Sequence, residues 1–245
     1  MDSDLTDDLR YLRLVGLLER WEEYVALAEK GRYSPVRFLQ HVLGEEVKLK
    51  RENARQERLK RARIPEAWVM ETFPFDRQPK LNKKKVLSIY DAFGYVEKSQ
   101  NVIWVGPTGC GKTGLATSFL IQAINRGHTG RYVLFSELVG ELYRSQADHS
   151  QEKVIARYVS PDCLLIDEVG YVEVEPFQVG LFFTLMQKRH RKRPTLITSN
   201  LGFSDWRSFL KNDHLTSALI DRLTEQSHVI NMKSCTSLRT KLGEE

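Results

Sequence analysis

Gly106-Pro107-Thr108-Gly109-Cys110-Gly111-Lys112-Thr113 sets glycines, a lysine and a hydroxyl in the order G-x-x-x-x-G-K-[ST]. These residue types at this spacing suit the binding of a triphosphate. Glycines let the backbone bend so that consecutive N–H groups point inward at a phosphate, and a helix starting near Gly114 adds its positive N-terminal end. Lys112 has the length to reach the β- and γ-phosphates, and the Thr113 hydroxyl can ligate Mg²⁺. ATP with Mg²⁺ is the ligand expected. Cys110 occupies a variable position of the loop, where a small side chain is tolerated.

Two further stretches carry chemistry that fits this loop. Cys163-Leu164-Leu165-Ile166-Asp167-Glu168 is an apolar run ending in two carboxylates. Asp167 is placed to hold the metal shell and Glu168 to orient and polarise an attacking water, which points to hydrolysis. Thr195-Leu196-Ile197-Thr198-Ser199-Asn200 also ends in polar side chains. Asn200 is the candidate there for contact with the γ-phosphate or the water, at the sheet edge where open α/β folds bind ligands.

Such residues need strands to carry them. Asn101–Gly106, Arg131–Glu137, Cys163–Asp167, Thr195–Asn200 and His228–Met232 read as short apolar strands separated by helix-length segments. This alternation predicts an α/β fold with a parallel five-stranded sheet flanked by helices. Ahead of it, Leu5, Leu9, Leu12, Trp21, Val25 and Ala28 recur at mostly helical spacing with a break near Gly16. Ser34-Pro35 offers an N-cap and first-turn proline to a further helix whose apolar face is Phe38, Leu39, Val42 and Leu43. Pro65, Pro74 and Pro79 then punctuate an aperiodic linker. Two domains are expected, a small all-helical one over 1–70 and a nucleotide-binding one over 71–245.

The 245 residues carry 37 Lys and Arg against 32 Asp and Glu, a net charge of +5 that favours polyanionic partners. The basic residues concentrate between Lys48 and Arg63, where Lys48, Arg51, Arg55, Arg58 and Arg61 are candidates for binding phosphate. A second cluster, Lys188-Arg189-His190-Arg191-Lys192-Arg193, offers Arg191. Three scattered cysteines give neither a disulfide framework nor a zinc pattern. The acidic Met1-Asp2-Ser3-Asp4 start and the absence of a long apolar run make a soluble, cytoplasmic protein without a membrane span the expectation.

The order of glycine-rich loop, Asp-Glu strand, Thr-Ser-Asn strand and Ala218-Leu219-Ile220-Asp221-Arg222-Leu223 resembles the AAA+ ATPases of the initiator and helicase-loader branch. Leu164–Tyr171, Ile197–Trp206, and Asp221-Arg222-Leu223 followed by Ser227-His228-Val229-Ile230-Asn231 resemble the IstB-type transposition helper ATPases of insertion sequences. The helical leader, the basic stretch and Phe73-Pro74-Phe75-Asp76 extend the likeness over nearly the whole chain. The resemblance implies an ATPase that forms a homo-oligomer, as a ring or spiral on double-stranded DNA, and hands the target to a partner transposase. It further implies Arg222 as an arginine finger completing a neighbouring subunit's site, and Arg239 of Ser237-Leu238-Arg239 as a residue sensing nucleotide in cis, one position displaced from the family's Ser-Tyr-Arg. Phe73 and Phe75 read either as an adenine-side contact or as packing under the linker. A replicative helicase loader of the DnaC type shares the same ATPase domain and is the alternative. A metabolic phosphotransferase fits less well, because Glu168 and a trans arginine suit attack by water.

Overall fold

The computed structural model describes residues 2–31, 33–172 and 174–239. It divides into two compact units, Met1–Glu57 and Arg58–Glu245. The first is helical: α1 (Ser3–Tyr11), α2 (Val15–Glu19), α3 (Trp21–Glu29) and the start of α4 (Pro35–Ala62), a 28-residue helix that runs past the division. Pro35 is the first residue of α4, as Ser34-Pro35 predicts. The break in the leader falls at Leu12–Leu14 rather than at Gly16, which lies inside α2. Gly16 is there for contact: a Cβ on it would come within 2.7 Å of Glu46 Oε2 and of Leu49 Cδ2. The buried Glu46 carboxylate accepts from the Leu17 N–H at 2.9 Å and ties α2 to α4. Of the apolar face expected on α4, Val42 is buried, whereas Leu39 and Leu43 are more than half exposed.

The second unit begins before residue 71. Ala62, Met70, Phe73 and Leu81 are buried in its core, so the proline-punctuated segment is packed structure and the boundary falls at Glu57/Arg58 rather than near 70. Single 3₁₀ turns at Met70–Thr72 and Phe75–Arg77 lead into α5 (Lys83–Ala92) and α6 (Gly94–Glu97). The Asn82 side chain caps α5 by accepting from the Lys85 N–H at 2.9 Å. Strands and helices then alternate as β1 (Val102–Val105), α7 (Lys112–Asn125), β2 (Gly130–Leu134), α8 (Phe135–Ala147), α9 (Gln151–Val159), β3 (Cys163–Val169), α10 (Pro176–Arg189), β4 (Thr195–Ser199), α11 (Phe203–Leu210), α12 (Asp213–Thr224) and β5 (His228–Asn231).

All five strands are parallel, in the order β2-β3-β4-β1-β5. The expected strand Arg131–Glu137 is shorter at its far end, because Phe135 already opens α8. Strand side chains alternate between two cores. Val102, Trp104 and Leu165 join Leu115 and Phe119 of α7 on one face, and Ile103, Val105, Leu164 and Ile166 join Leu138, Phe182 and Leu219 on the other. With both faces covered, the central strands can be apolar throughout, which explains their continuous apolar runs. β1 and β3 lie on either side of β4, so the loop after β1 and the carboxylates ending β3 meet at one sheet edge.

Arg189 corrects the reading of residues 188–193 as a basic surface. Its side chain is 1% exposed and donates to the carbonyls of Tyr158, Val159, Pro161 and Pro194 at 2.6–3.1 Å and to Thr195 Oγ1 at 3.1 Å. It closes the ends of α9, α10 and the turn into β4. Arg189→Ala is expected to lower stability in chemical denaturation by on the order of 3 kcal/mol, since several buried carbonyls lose their donor. A change within about 0.5 kcal/mol, the range of a surface substitution, would contradict this structural role.

Candidate nucleotide-binding site

The loop between β1 and α7 has left-handed backbone at Gly109 (φ +80°) and Gly111 (φ +96°). A Cβ at Gly109 would stand 2.5 Å from Ser237 Oγ, and one at Gly111 would stand 2.7 Å from the Phe73 ring. Neither position admits a side chain, so the glycines serve both conformation and close packing from behind. Lys112 opens α7 and is buried, with Nζ donating to the carbonyls of Gly106 at 2.8 Å and Pro107 at 2.7 Å. Burial pulls its pKa below the ordinary lysine value, against the opposing pull of Asp167 and Glu168. Cys110 is fully buried and faces the core, and burial raises its thiol pKa. Its contribution to the loop is backbone: its carbonyl accepts from Gln78 Nε2 at 3.2 Å.

A cavity of about 610 Å³ opens over this loop and is lined by Thr108, Gly109, Gly111, Lys112, Thr113 and Gly114 together with Asp167 and Glu168. Asp167 is the hub of the acidic end. Oδ1 accepts from Thr113 Oγ1 at 3.1 Å and from Thr198 Oγ1, and Oδ2 accepts from the Tyr132 hydroxyl at 2.9 Å. Burial first, and then the Asp167 charge, push the Tyr132 phenol well above its usual pKa, which keeps it a donor. Glu168 has left-handed backbone (φ +62°) at an irregularity in the β3–β4 pairing, and its N–H donates to Thr198 Oγ1 at 3.0 Å. Successive residues of a regular strand face opposite ways. The left-handed turn brings two consecutive carboxylates to the same cavity, at a backbone cost of about 1 kcal/mol or more.

The opposite wall is aromatic. Trp68 lies 3.5 Å from the position of a Cβ on Gly114, and Phe73 and Leu238 border Gly111. Phe73 is buried, as packing under the linker requires, and also lines the cavity, while Phe75 packs edge-on against it at 4.8 Å and is not among the lining residues. The apolar wall and the phosphate cradle together suit a purine nucleoside triphosphate. Trp68, Tyr132, Thr198 and Tyr171, whose hydroxyl meets Thr108 Oγ1 at 2.7 Å, are site residues that motif spacing does not announce. Only Thr198 carried a signal, as part of the polar end of its strand.

The remaining candidates divide. Asn200 lies past the end of β4 and is not among the lining residues; its Oδ1 is buried, has no partner and sits against Gly170. Thr198 is the β4 side chain that reaches the cavity. Arg239 lines it, while Arg222 does not: its guanidinium lies 4.8 Å from the Phe183 ring centre and donates to the Ala218 carbonyl at 3.0 Å. In the first unit, Lys48, Arg51 and Arg55 recur along α4, with Lys48 paired to Glu45 at 2.7 Å and Arg55 to Glu52 at 2.6 Å. Arg58 and Arg61 belong to the second unit, where Arg58 is half-buried and Arg61 exposed. Arg191 is exposed and paired with Glu225.

A parallel sheet with a glycine-rich phosphate loop after β1 and an acid pair ending β3, which lies beside the central β4, defines a P-loop nucleotide-binding fold. Over residues 7–244 the chain matches the family described as IstB-like ATP binding protein, and it belongs to that family. The assigned ATP-binding protein of insertion sequence IS21 from Pseudomonas aeruginosa is 31% identical over 92% of this chain and 84% of its own length. Its counterpart in insertion sequence IS5376 of Geobacillus stearothermophilus is 29% identical over 91% and 88%. Among solved structures, DnaI shares the fold at a TM-score of 0.55 and 19% identity, covering 62% of this chain and 85% of its own. The DnaC helicase loader does so at 0.52 and 20%, covering 61% and 87%. AMPPCP-bound DnaA from Aquifex aeolicus gives 0.55 and 16%, covering 69% and 51%. The chain is thus an insertion-sequence-type ATP-binding protein. Among the described residues no helix is long and apolar enough to cross a membrane.

Lys112→Ala is expected to weaken ATP binding by roughly 10- to 100-fold, the worth of a charged donor on a phosphate, in a chain that remains folded without nucleotide although the Gly106 and Pro107 carbonyls lose their donor. Equilibrium titration of a fluorescent ATP measures it, and undiminished affinity would mean that this loop does not hold the phosphates.

Proposed function

We propose that the chain hydrolyses ATP with Mg²⁺, assembles as a homo-oligomer on double-stranded DNA in the cytoplasm, and presents that DNA to a partner transposase. The observation that carries hydrolysis is Glu168, turned by its left-handed backbone into the cavity that Lys112 and Thr113 line. Thr113 and Asp167 are the residues to hold Mg²⁺, their oxygens lying 3.1 Å apart in one hydrogen-bonded cluster. The bound ion would neutralise charge on the β- and γ-phosphate oxygens. Glu168 orients a water and accepts its proton as the oxygen attacks the γ-phosphorus and the bond to the β,γ-bridging oxygen breaks, giving ADP and phosphate.

Arg222 lies outside its own chain's cavity, held on Phe183 at 4.8 Å, as a residue acting on a neighbour's ATP requires. This supports oligomerisation as part of catalysis, with Arg222 stabilising charge that develops on the transferred phosphoryl group. The relatives' assignment to insertion sequences supports the transposase as client. Lys48, Arg51, Arg55, Arg58, Arg61 and Arg191 are the proposed DNA contacts, binding phosphate rather than reading bases.

Glu168→Gln is expected to retain ATP binding and lose hydrolysis by at least roughly 100-fold, and Arg222→Ala to lose DNA-stimulated hydrolysis to a similar degree. Wild-type turnover by Arg222→Ala, per subunit and at every protein concentration, would remove the trans finger. Lys48→Glu combined with Arg51→Glu should weaken binding to duplex DNA and make log Kd against log salt shallower by about two contacts. An unaltered slope would clear these two residues of phosphate contact. Capture of a replicative helicase in place of a transposase would assign the loader role instead.

A further inference from the structure

Gln78 sits where three separate pieces of chain meet behind the phosphate loop. It follows the turn Phe75–Arg77 and is 1% exposed. Its Nε2 donates to the carbonyls of Cys110 at 3.2 Å and Thr236 at 2.6 Å, and its Oε1 accepts from the Thr236 N–H at 3.1 Å. Two residues further on, the Leu238 N–H donates to the Gly109 carbonyl at 2.9 Å, and Arg77 reaches the Leu238 carbonyl at 3.3 Å. Residues 236–238 are therefore fastened to the loop at both ends, with Ser237 seated in the space that Gly109 leaves by lacking a Cβ. The next residue is Arg239, an exposed side chain that lines the nucleotide cavity.

The chemistry of this junction selects an amide. Two carbonyls and one N–H meet one side chain that is itself 1% exposed, with the Cys110 bond buried and the two Thr236 bonds partly so. Glutamate has no donor for the carbonyls, methionine has no donor and only a weakly accepting sulfur, and asparagine is one carbon shorter than the glutamine that spans from the turn to the loop. Beyond this fastening, Arg239 is held by its own N–H, which donates to Ser237 Oγ at 3.2 Å. Its position beside the phosphate loop thus depends on the segment before it.

We propose that Gln78 is a positioning residue for nucleotide binding, locking segment 236–238 to the phosphate loop and so seating the Arg239 guanidinium against the bound phosphates. The proposal rests on Arg239 as a residue that contacts nucleotide in cis. It assigns to a glutamine in the proline-punctuated segment of the second unit a part in reading the nucleotide, which neither the loop motif nor the acid pair contains.

The test is a double-mutant cycle in the full chain, with the Kd of a fluorescent, non-hydrolysable ATP analogue as readout. Gln78→Met and Arg239→Ala are each expected to weaken binding roughly tenfold. The double variant should be no weaker than about either single one, because Arg239 is already unseated when Gln78 is gone. Multiplying losses, roughly 100-fold together, would overturn the proposal, since Gln78 would then support the loop independently of Arg239. A loss for Arg239→Ala with none for Gln78→Met would overturn it while leaving Arg239 as a contact. No loss for Arg239→Ala would remove the contact itself and the proposal with it. Should Gln78→Met fail to fold, amide hydrogen exchange on the wild-type chain decides. The Thr236 and Leu238 N–H groups should slow at least tenfold when the analogue binds, and unchanged exchange would overturn the coupling.

Discussion

The rest of the second unit is arranged around one constraint: the loop from Gly106 to Gly111 must keep backbone N–H groups free for phosphate, so it cannot be held by ordinary pairing on that side. Backbone polar groups left without partners are costly where water is excluded. The structure therefore braces the loop from behind. Met232 lies against Gly106, Ser237 against Gly109, and Phe73 and Leu238 against Gly111, each within 3.0 Å of where a Cβ would stand. Lys112 completes the brace from inside by donating to the Gly106 and Pro107 carbonyls. Glycine at Gly109 and Gly111 is thus demanded twice, by positive φ and by the neighbours pressing on it. The segments that supply those neighbours, around 73–78 and 232–238, are bound by that requirement to this one end of the sheet.

The acidic end answers a different electrostatic demand. Asp167 is 1% exposed, and a buried carboxylate is tolerated only when hydrogen-bonded. Three hydroxyls, from Thr113, Thr198 and Tyr132, meet that need and come from α7, β4 and β2, so the carboxylate also pins three elements around β3. Hydroxyl donors bring no charge of their own, whereas an arginine partner would bring a positive charge to the place where a cation is to bind. Glu168, one residue later, is exposed and free of such a cage, which suits the proton-accepting role proposed for it. Two adjacent carboxylates receive two environments because the backbone reverses hand between them.

The features legible in the sequence are those fixed by covalent spacing. The phosphate loop, the Asp167-Glu168 pair and the five parallel strands needed only local order along the chain and the alternation of apolar runs with helix-length segments. The parts that were not legible depend on which distant residues meet. Gln78 looks like an ordinary polar residue in a proline-rich stretch, and only the closeness of Cys110 and Thr236, at 32 and 158 positions away, gives it a role. Tyr132 reads as one aromatic in a strand until the pairing of Leu134 with Asp167 fixes the register of β2 against β3. The division at Glu57/Arg58 differs from the boundary read near 70 for the same reason, since Met70 and Phe73 are apolar residues whose burial no local period foretold. Arg189 shows the converse, a residue in a basic run that tertiary structure draws wholly inside.

Burial also decides which basic residues are free to take a new partner. Lys48, Arg55, Arg157 and Arg191 are partly or largely exposed and hold Glu45, Glu52, Glu141 and Glu225 respectively. Exposed pairs of this kind contribute only about 0–1 kcal/mol, so exchanging a carboxylate for a phosphate costs little. Salt weakens the pair and the phosphate contact alike, and screening falls most heavily on the more exposed of the two. Arg189 has no such freedom: leaving its carbonyls would strand several buried acceptors at once. A cluster of like charges in sequence is therefore two populations in the fold, one bound to the architecture and one held loosely enough to exchange, and net charge alone does not separate them.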